Sequence, residues 1–198
     1  IKSYITAPDY SAKLDYYGIK GLKIGAAGYF GESESKLYEG LEKSDTIAKS
    51  ELKADSSSVG ITMIGFDVRY EWKGIEARAQ YIMANLTNTN AYNKLTGKDL
   101  GSEMNGYYVE AGYNVLQLCK KTKNKLTIFA RYENYNTHAK VENGITKNDA
   151  FNRTDITVGA GFKVADGAVF KADYQLMSNA KAGSKAKNMF NISIGVWF

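Results

Sequence analysis

The chain reads as an all-β protein, an antiparallel transmembrane β-barrel, and three observations carry that reading. Apolar residues fall at every second position in long runs, which gives each run one apolar and one polar face. The connections between runs alternate between short and long along the whole chain. The last run sets Phe190, Ile192, Ile194, Val196 and Phe198 on one face and stops on an aromatic residue. Composition agrees. Hydrophobic residues make up 44% and the mean hydropathy is -0.37, and no stretch approaches the ~20 apolar residues of a membrane helix. A membrane barrel has such values because only half of each strand faces lipid. Gly 19, Tyr 15 and Pro 1 suit long strands with aromatic girdles. The single cysteine, Cys119, excludes an internal disulfide. The opening Ile1–Thr6 has neither the basic start nor the apolar core of a signal peptide.

The alternation predicts about nine strands within one barrel segment, 1–198. They lie near 11–18, 21–31, 58–73, 75–87, 105–118, 125–140, 154–165, 168–179 and 188–198. The first two carry Lys13, Asp15 and Lys23 at polar-face positions and are joined by the short turn Gly18–Gly21. The long polar segment 32–57 follows; Leu37, Leu41 and Leu52 within 36–53 suggest a short amphipathic helix. That segment reads equally as a constriction folded into a lumen and as a solvated loop. In the third strand Phe66, Val68, Tyr70 and Trp72 oppose Asp67, Arg69 and Glu71. Lys73-Gly74 turns the chain into the fourth, where Ile75, Ala77, Ala79, Tyr81 and Met83 oppose Glu76, Arg78 and Gln80. A long connection, 88–104, leads to the fifth strand with Glu110. The lysine-rich turn Lys120–Asn124 leads to the sixth with Arg131 and Glu133. After 141–153 the seventh carries Asp155 and Lys163. Asp166-Gly167 should then form a hairpin turn with both residues at positive φ. In the eighth strand Phe170, Ala172, Tyr174 and Leu176 oppose Lys171 and Asp173, and 180–187 leads to the last.

Closing strands of this kind resemble those of bacterial outer-membrane barrels, whose assembly machinery reads a terminal Phe and the apolar positions before it. The resemblance gives Phe190, Ile192, Ile194, Val196 and Phe198 the role of an assembly signal and places the C-terminus on the periplasmic side. All short turns then fall on that side and all long loops outside, as in these barrels. An odd strand count puts the start of the first strand outside, which implies further strands upstream. A complete eight- or ten-strand barrel with one strand miscounted is the competing reading.

Longer segments resemble one family. Lys13-Leu-Asp-Tyr-Tyr-Gly-Ile-Lys-Gly-Leu-Lys-Ile-Gly-Ala-Ala-Gly-Tyr-Phe-Gly31 looks like a hairpin of the phosphate-selective porin O/P-like family. Gly65–Tyr81, Gly106–Asn114 with Phe129–Tyr135, and Phe170–Gln175 look like its later hairpins. The resemblance implies the C-terminal half of a sixteen-strand barrel, often trimeric. It also implies basic residues along the lumen, and here the chain departs from the family. The inward positions carry Lys13, Lys23, Arg69, Arg78, Arg131, Lys163 and Lys171 against Asp15, Asp67, Glu71, Glu76, Glu110, Glu133, Asp155 and Asp173. Anions exceed cations by one, so the sum gives no phosphate-specific wall. Most of these residues read as cross-strand ion pairs that stabilise it.

The remaining chemistry is sparse. The one histidine, His138, reads as an ordinary rim residue near the outer end of the sixth strand. No serine, aspartate and histidine constellation surrounds it in sequence, so an enzyme is not expected. No cofactor and no metal are expected. Nucleic acid is excluded as a partner on the premise that the aromatics face away from the charges. The expected partners are outer-membrane lipid and lipopolysaccharide, the barrel-assembly machinery, further copies in a homotrimer, and small solutes or ions. These readings combine into a porin in the outer membrane of a Gram-negative bacterium, passing small hydrophilic solutes by passive diffusion. The alternative is a scaffold or adhesin barrel without an open pore.

Overall fold

A computed structural model describes residues 8–34, 46, 49, 52–53, 56–119, 122–142 and 144–197. They form one nine-stranded sheet in which every strand pairs with its sequence neighbours. The strands are β1 (Tyr10–Ile19), β2 (Leu22–Glu34), β3 (Ser58–Trp72), β4 (Ile75–Thr87), β5 (Glu103–Asn114), β6 (Lys125–Lys140), β7 (Asn152–Ala165), β8 (Ala168–Asn179) and β9 (Lys187–Val196). All pairings are antiparallel. The sheet is open, with β1 and β9 as its edges. Strict alternation of direction makes these two edges run the same way.

Two expectations about the connections fail. The turn with both central residues at positive φ is Lys73 (φ 44) and Gly74 (φ 85), not Asp166-Gly167. At the latter the β7–β8 register shifts between Lys163 and Ala165, and the irregularity removes the need for positive φ. The fifth strand stops at Asn114 and does not run to 118; Val115–Leu118 is a 3-10 turn. The Asn114 carboxamide oxygen accepts from the N–H groups of Leu116 (3.2 Å) and Leu126 (3.0 Å), which caps the turn and ties it to β6. Of the expected helix over 36–53, only Lys49, Leu52 and Lys53 are described as helical; Leu37 and Leu41 lie outside the described residues, as does Phe198.

The sheet carries its apolar surface outward. Leu14 (77% exposed), Phe66, Val109, Val158 and Ile192 (72%) stand on one face, and Val59 is the only buried apolar residue among those described. A soluble protein would bury that face. The apolar outward positions run from Ile75 to Met83 on β4 and from Val196 to Phe190 on β9. The nine residues of the β4 run cover about 27 Å along a strand, the length a tilted span of a hydrocarbon layer needs. The band ends in a polar border, with Thr62, Asn85, Asn105, Asn134, Thr154, Ser178 and Asn188 next outward on successive strands. Among the described residues no helix is long and apolar enough to cross a membrane.

Glycine and aromatic residues shape the curve of the wall. A Cβ at Gly106 would sit 2.8 Å from Tyr135 Cβ, and one at Gly159 would sit 2.7 Å from the Phe129 ring. The Phe129 ring leans over a glycine on the neighbouring strand, a device that bends a sheet while still covering it.

The loops beyond the polar border are tied to one another. The helix Thr89–Thr96 ends at Gly97 in the left-handed region. Buried Asn93 holds the stretch after it by donating to Leu100 O (2.9 Å) and accepting from Leu100 N–H (2.8 Å). Glu142 accepts from the N–H of Asn90 (2.7 Å) at the start of that helix, where a carboxylate is favoured. His138 is not an ordinary rim residue. It is 1% exposed and leads the fully buried side chains in size. Its Nε2 lies 2.7 Å from Asp99 O, its Nδ1 is 3.4 Å from the N–H of Asn148, and its ring packs on Phe151 at 4.5 Å. The imidazole thus pins two outer loops to the end of β6. Sequence position alone could not show this, because its partners come from loops without periodicity.

Candidate functional site

The candidate site is the concave face of the sheet, opposite the apolar one. The register places every charged residue expected to line a lumen on this face: Lys13 and Asp15 on β1, Lys23 on β2, Asp67, Arg69 and Glu71 on β3, and Glu76 and Arg78 on β4. Glu110, Arg131, Glu133, Asp155, Lys163, Lys171 and Asp173 continue it across β5 to β8. Val68, Tyr70, Ile192 and Val196 stand on the other face.

Register adds an order that alternation does not contain. Residues paired directly across the strands form rows, and each row carries mainly one sign. One row reads Lys23, Arg69, Arg78, Glu110, Arg131. The row on its loop side reads Asp15, Gly25, Asp67, Gln80, Tyr108, Glu133, Asp155, Met177, Lys187. The row on its turn side reads Glu71, Glu76, Gly112, Phe129, Gly159, Asp173. Like charges therefore face each other directly at Arg69–Arg78, Glu71–Glu76 and Glu133–Asp155, an arrangement that destabilises a sheet.

Compensation runs both along and across the strands. Arg131 pairs with Glu133 at 2.7 Å, Lys13 with Asp15 at 3.4 Å and Lys171 with Asp173 at 3.8 Å, each two residues apart on one strand. Arg78 lies 3.9 Å from Glu76 and 3.8 Å from Glu110 across the strand. Lys23 reaches Asp15 at 3.2 Å, and Lys13 reaches over β2 to Asp67 at 3.3 Å. That last contact passes over Gly25, where a Cβ would come within 2.4 Å of Asp67 Oδ1 and 2.7 Å of Asp15 Oδ1. Ion pairs are present on the wall, but fewer cross strands than the sequence suggested. Lys163 turns instead to Asp166 in the turn, 3.1 Å away.

Sequence reasoning missed the inward aromatic and apolar residues. Tyr108 lies under the Arg131 guanidinium at 4.1 Å and Phe129 under Lys171 at 4.7 Å. The premise that aromatics and charges occupy separate faces is therefore incorrect. The doublet Tyr107-Tyr108 was the available signal, since adjacent strand residues must point to opposite faces. Tyr29, Met63, Ala84 and Met104 form a further inward row beyond the acidic one, at the level of the polar border outside. Among the described residues no group of three or more His, Cys, Asp or Glu side chains could hold a metal ion.

Comparison with known proteins fits this geometry. No family model matches the chain. An uncharacterized protein of Aquifex aeolicus (strain VF5) is 25% identical over 166 residues, 83% of this chain and 36% of that protein. Among solved structures, a loop L8 deletion mutant of OmpT, an outer membrane protein of Vibrio cholerae, superposes with a TM-score of 0.58 at 15% identity, over 96% of this chain and 53% of that one. The trimer form of in-vitro folded OmpT gives 0.55 at 15% identity, over 96% and 56%. The chain thus spans about a third of the curated relative and about half of these solved chains. Nine antiparallel strands, an exposed apolar face and this likeness together give the chain the fold of an outer-membrane β-barrel wall.

Proposed function

We propose that this chain forms part of a porin wall in the outer membrane of a Gram-negative bacterium. Small hydrophilic solutes or ions would cross it by passive diffusion, without turnover or cofactor. The observation that carries the reading is the division of the sheet: exposed apolar residues on one face and charged, ion-paired residues on the concave one. A water-filled lumen solvates such charges, whereas a plugged or soluble barrel would bury them at high cost.

All-antiparallel closure takes an odd number of further strands between β1 and β9, because these edges run the same way. Unpaired edges in hydrocarbon leave backbone groups unsatisfied, so closure is obligatory in a bilayer. The resemblance to the phosphate-selective porin O/P-like family supports a sixteen-strand barrel. The trimer form of the Vibrio cholerae protein supports a homotrimer. Alternating charged rows favour passage without strong anion preference. Single-channel recording of the full-length protein, intact and with 32–57 shortened, tests the proposal. Stepwise conductance supports it; a closed barrel silent in both forms would favour a scaffold or adhesin instead.

A further inference from the structure

Two grooves lie side by side on the concave face, separated by a ridge of Gln80 and Ile82 on β4. The ridge stands clear because its neighbours are small. Exposed Ile82 pairs with Gly65 on β3 and with Gly106 on β5, so both floors lack side chains. The groove over Gly106 holds about 360 Å³ and the one over Gly65 about 410 Å³, both in the small-molecule range. Their chemistry repeats. The first has Tyr135 and Met104 as apolar walls, the second Tyr29 and Met63. Each is lined by one cation and one anion, and these pair with each other: Arg131 with Glu133 at 2.7 Å, and Lys13 with Asp67 at 3.3 Å. Just outside the linings the charges again come as opposites. Asp15 meets Lys23 at 3.2 Å, and Asp155 stands two residues along β7 from Arg153.

We propose that the two grooves together bind a neutral sugar chain of three or more rings. Neutrality follows from the pairing. Neither groove carries a net charge, so neither sign of solute gains an advantage, and a charged head would have to part an existing ion pair. A hydroxyl asks for less. A guanidinium carries more N–H groups, and a carboxylate more lone pairs, than one pairing uses, so both still bond a hydroxyl. Arg131 is held ready for this between Glu133 and the Tyr108 ring, 4.1 Å away, and a group already fixed loses little freedom on binding. The Gln80 carboxamide makes no hydrogen bond within the protein among the described residues. It lines both grooves and offers each a donor and an acceptor. The C–H faces of sugar rings meet Tyr135, Tyr29 and the two methionines, whose flexible thioethers fit varied shapes. Spacing sets the length. The two glycine floors lie two strands apart, about 10 Å, which is the separation of the first and third rings of a linear chain. The middle ring crosses Ile82.

The inference rests on the concave face being the wall of a water-filled lumen, and its test separates the two. Full-length protein in detergent is titrated by equilibrium dialysis with maltotriose, with maltose, and with trialanine as a zwitterion of similar length. The same probes are applied to single channels. Maltotriose should bind about tenfold more tightly than either of the others, the gain of one further hydrogen-bonded contact in the second groove. Gln80→Ala should weaken maltotriose about tenfold by the same arithmetic. Gly65→Leu fills the floor of the second groove and should bring maltotriose down to the affinity of maltose. A Cβ at Gly65 meets only ordinary contacts, 3.7 Å from Ile82 Cγ1 and from Tyr81 O, so that variant should keep its heat-modifiable mobility. Equal binding of maltose, equal binding of trialanine, or indifference to both substitutions would overturn the proposal. Absent binding in a conducting protein removes the site and leaves the pore. Binding in a protein that never conducts removes the pore and leaves the site.

Discussion

An arginine at Ile192 measures the orientation of the whole sheet. Ile192 is 72% exposed, pairs with Ala172, and sits mid-way along the outward apolar run of β9 between Phe190 and Ile194. If that face meets lipid, Ile192→Arg puts a charge near the bilayer midplane at a cost of about 2–4 kcal/mol. Ser193 is the control, one residue along, on the opposite, charged face and paired with Lys171. Ser193→Arg places a second cation directly opposite that lysine, a penalty of roughly 0.5 kcal/mol. With a urea dependence of about 2 kcal/mol per molar, the unfolding midpoint in phospholipid vesicles should fall by roughly 1–2 M for the first variant and by about 0.3 M for the second. Equal midpoints, or a larger loss at Ser193, would show that the faces are assigned the wrong way round.

Other outcomes follow from particular contacts. His138→Ala removes two hydrogen bonds and the contact with Phe151, roughly 2–3 kcal/mol of local stability; trypsin should then cut at Lys147 while the barrel keeps its heat-modifiable mobility, and unchanged cleavage would show that the loops are held elsewhere. Arg78→Glu breaks the cation row at its centre, so the reversal potential in a salt gradient should move toward cation preference. An unmoved potential would place that row away from the conducting path. Phe198→Asp should leave unfolded protein in the periplasm; normal assembly into the outer membrane would remove the role given to the closing strand.

Much of the wall could be read in the sequence because its cause is local. Alternation at Phe66–Trp72 or Ile75–Met83 follows from the pleat of one strand, and each charged residue found its face that way. Rows depend on how strands slide past one another, which turn geometry sets. Lys73-Gly74 closes a tight hairpin and thereby places Arg69 against Arg78. No composition count contains that pairing. Asn114 ended a strand that periodicity would have continued, because its side chain offered the backbone another partner. His138 was misjudged for a similar reason, since Asp99, Asn148 and Phe151 approach it from segments without a repeat.

The alternating charged rows also fix how far the wall's field extends. Rows of one sign lie two residues apart from rows of the other, so the pattern repeats about every 13–14 Å along a strand. The potential of such a striped surface decays with distance over the repeat divided by 2π, about 2 Å, even before salt acts, and mobile ions add a screening length of ~8 Å. In the proposed pore, a small hydrated ion near the axis would therefore travel through an almost flat landscape. A bulky solute that must slide along the wall meets every stripe in turn. Discrimination by this surface becomes a matter of contact, so it should rise with the size of the solute more than with its net charge.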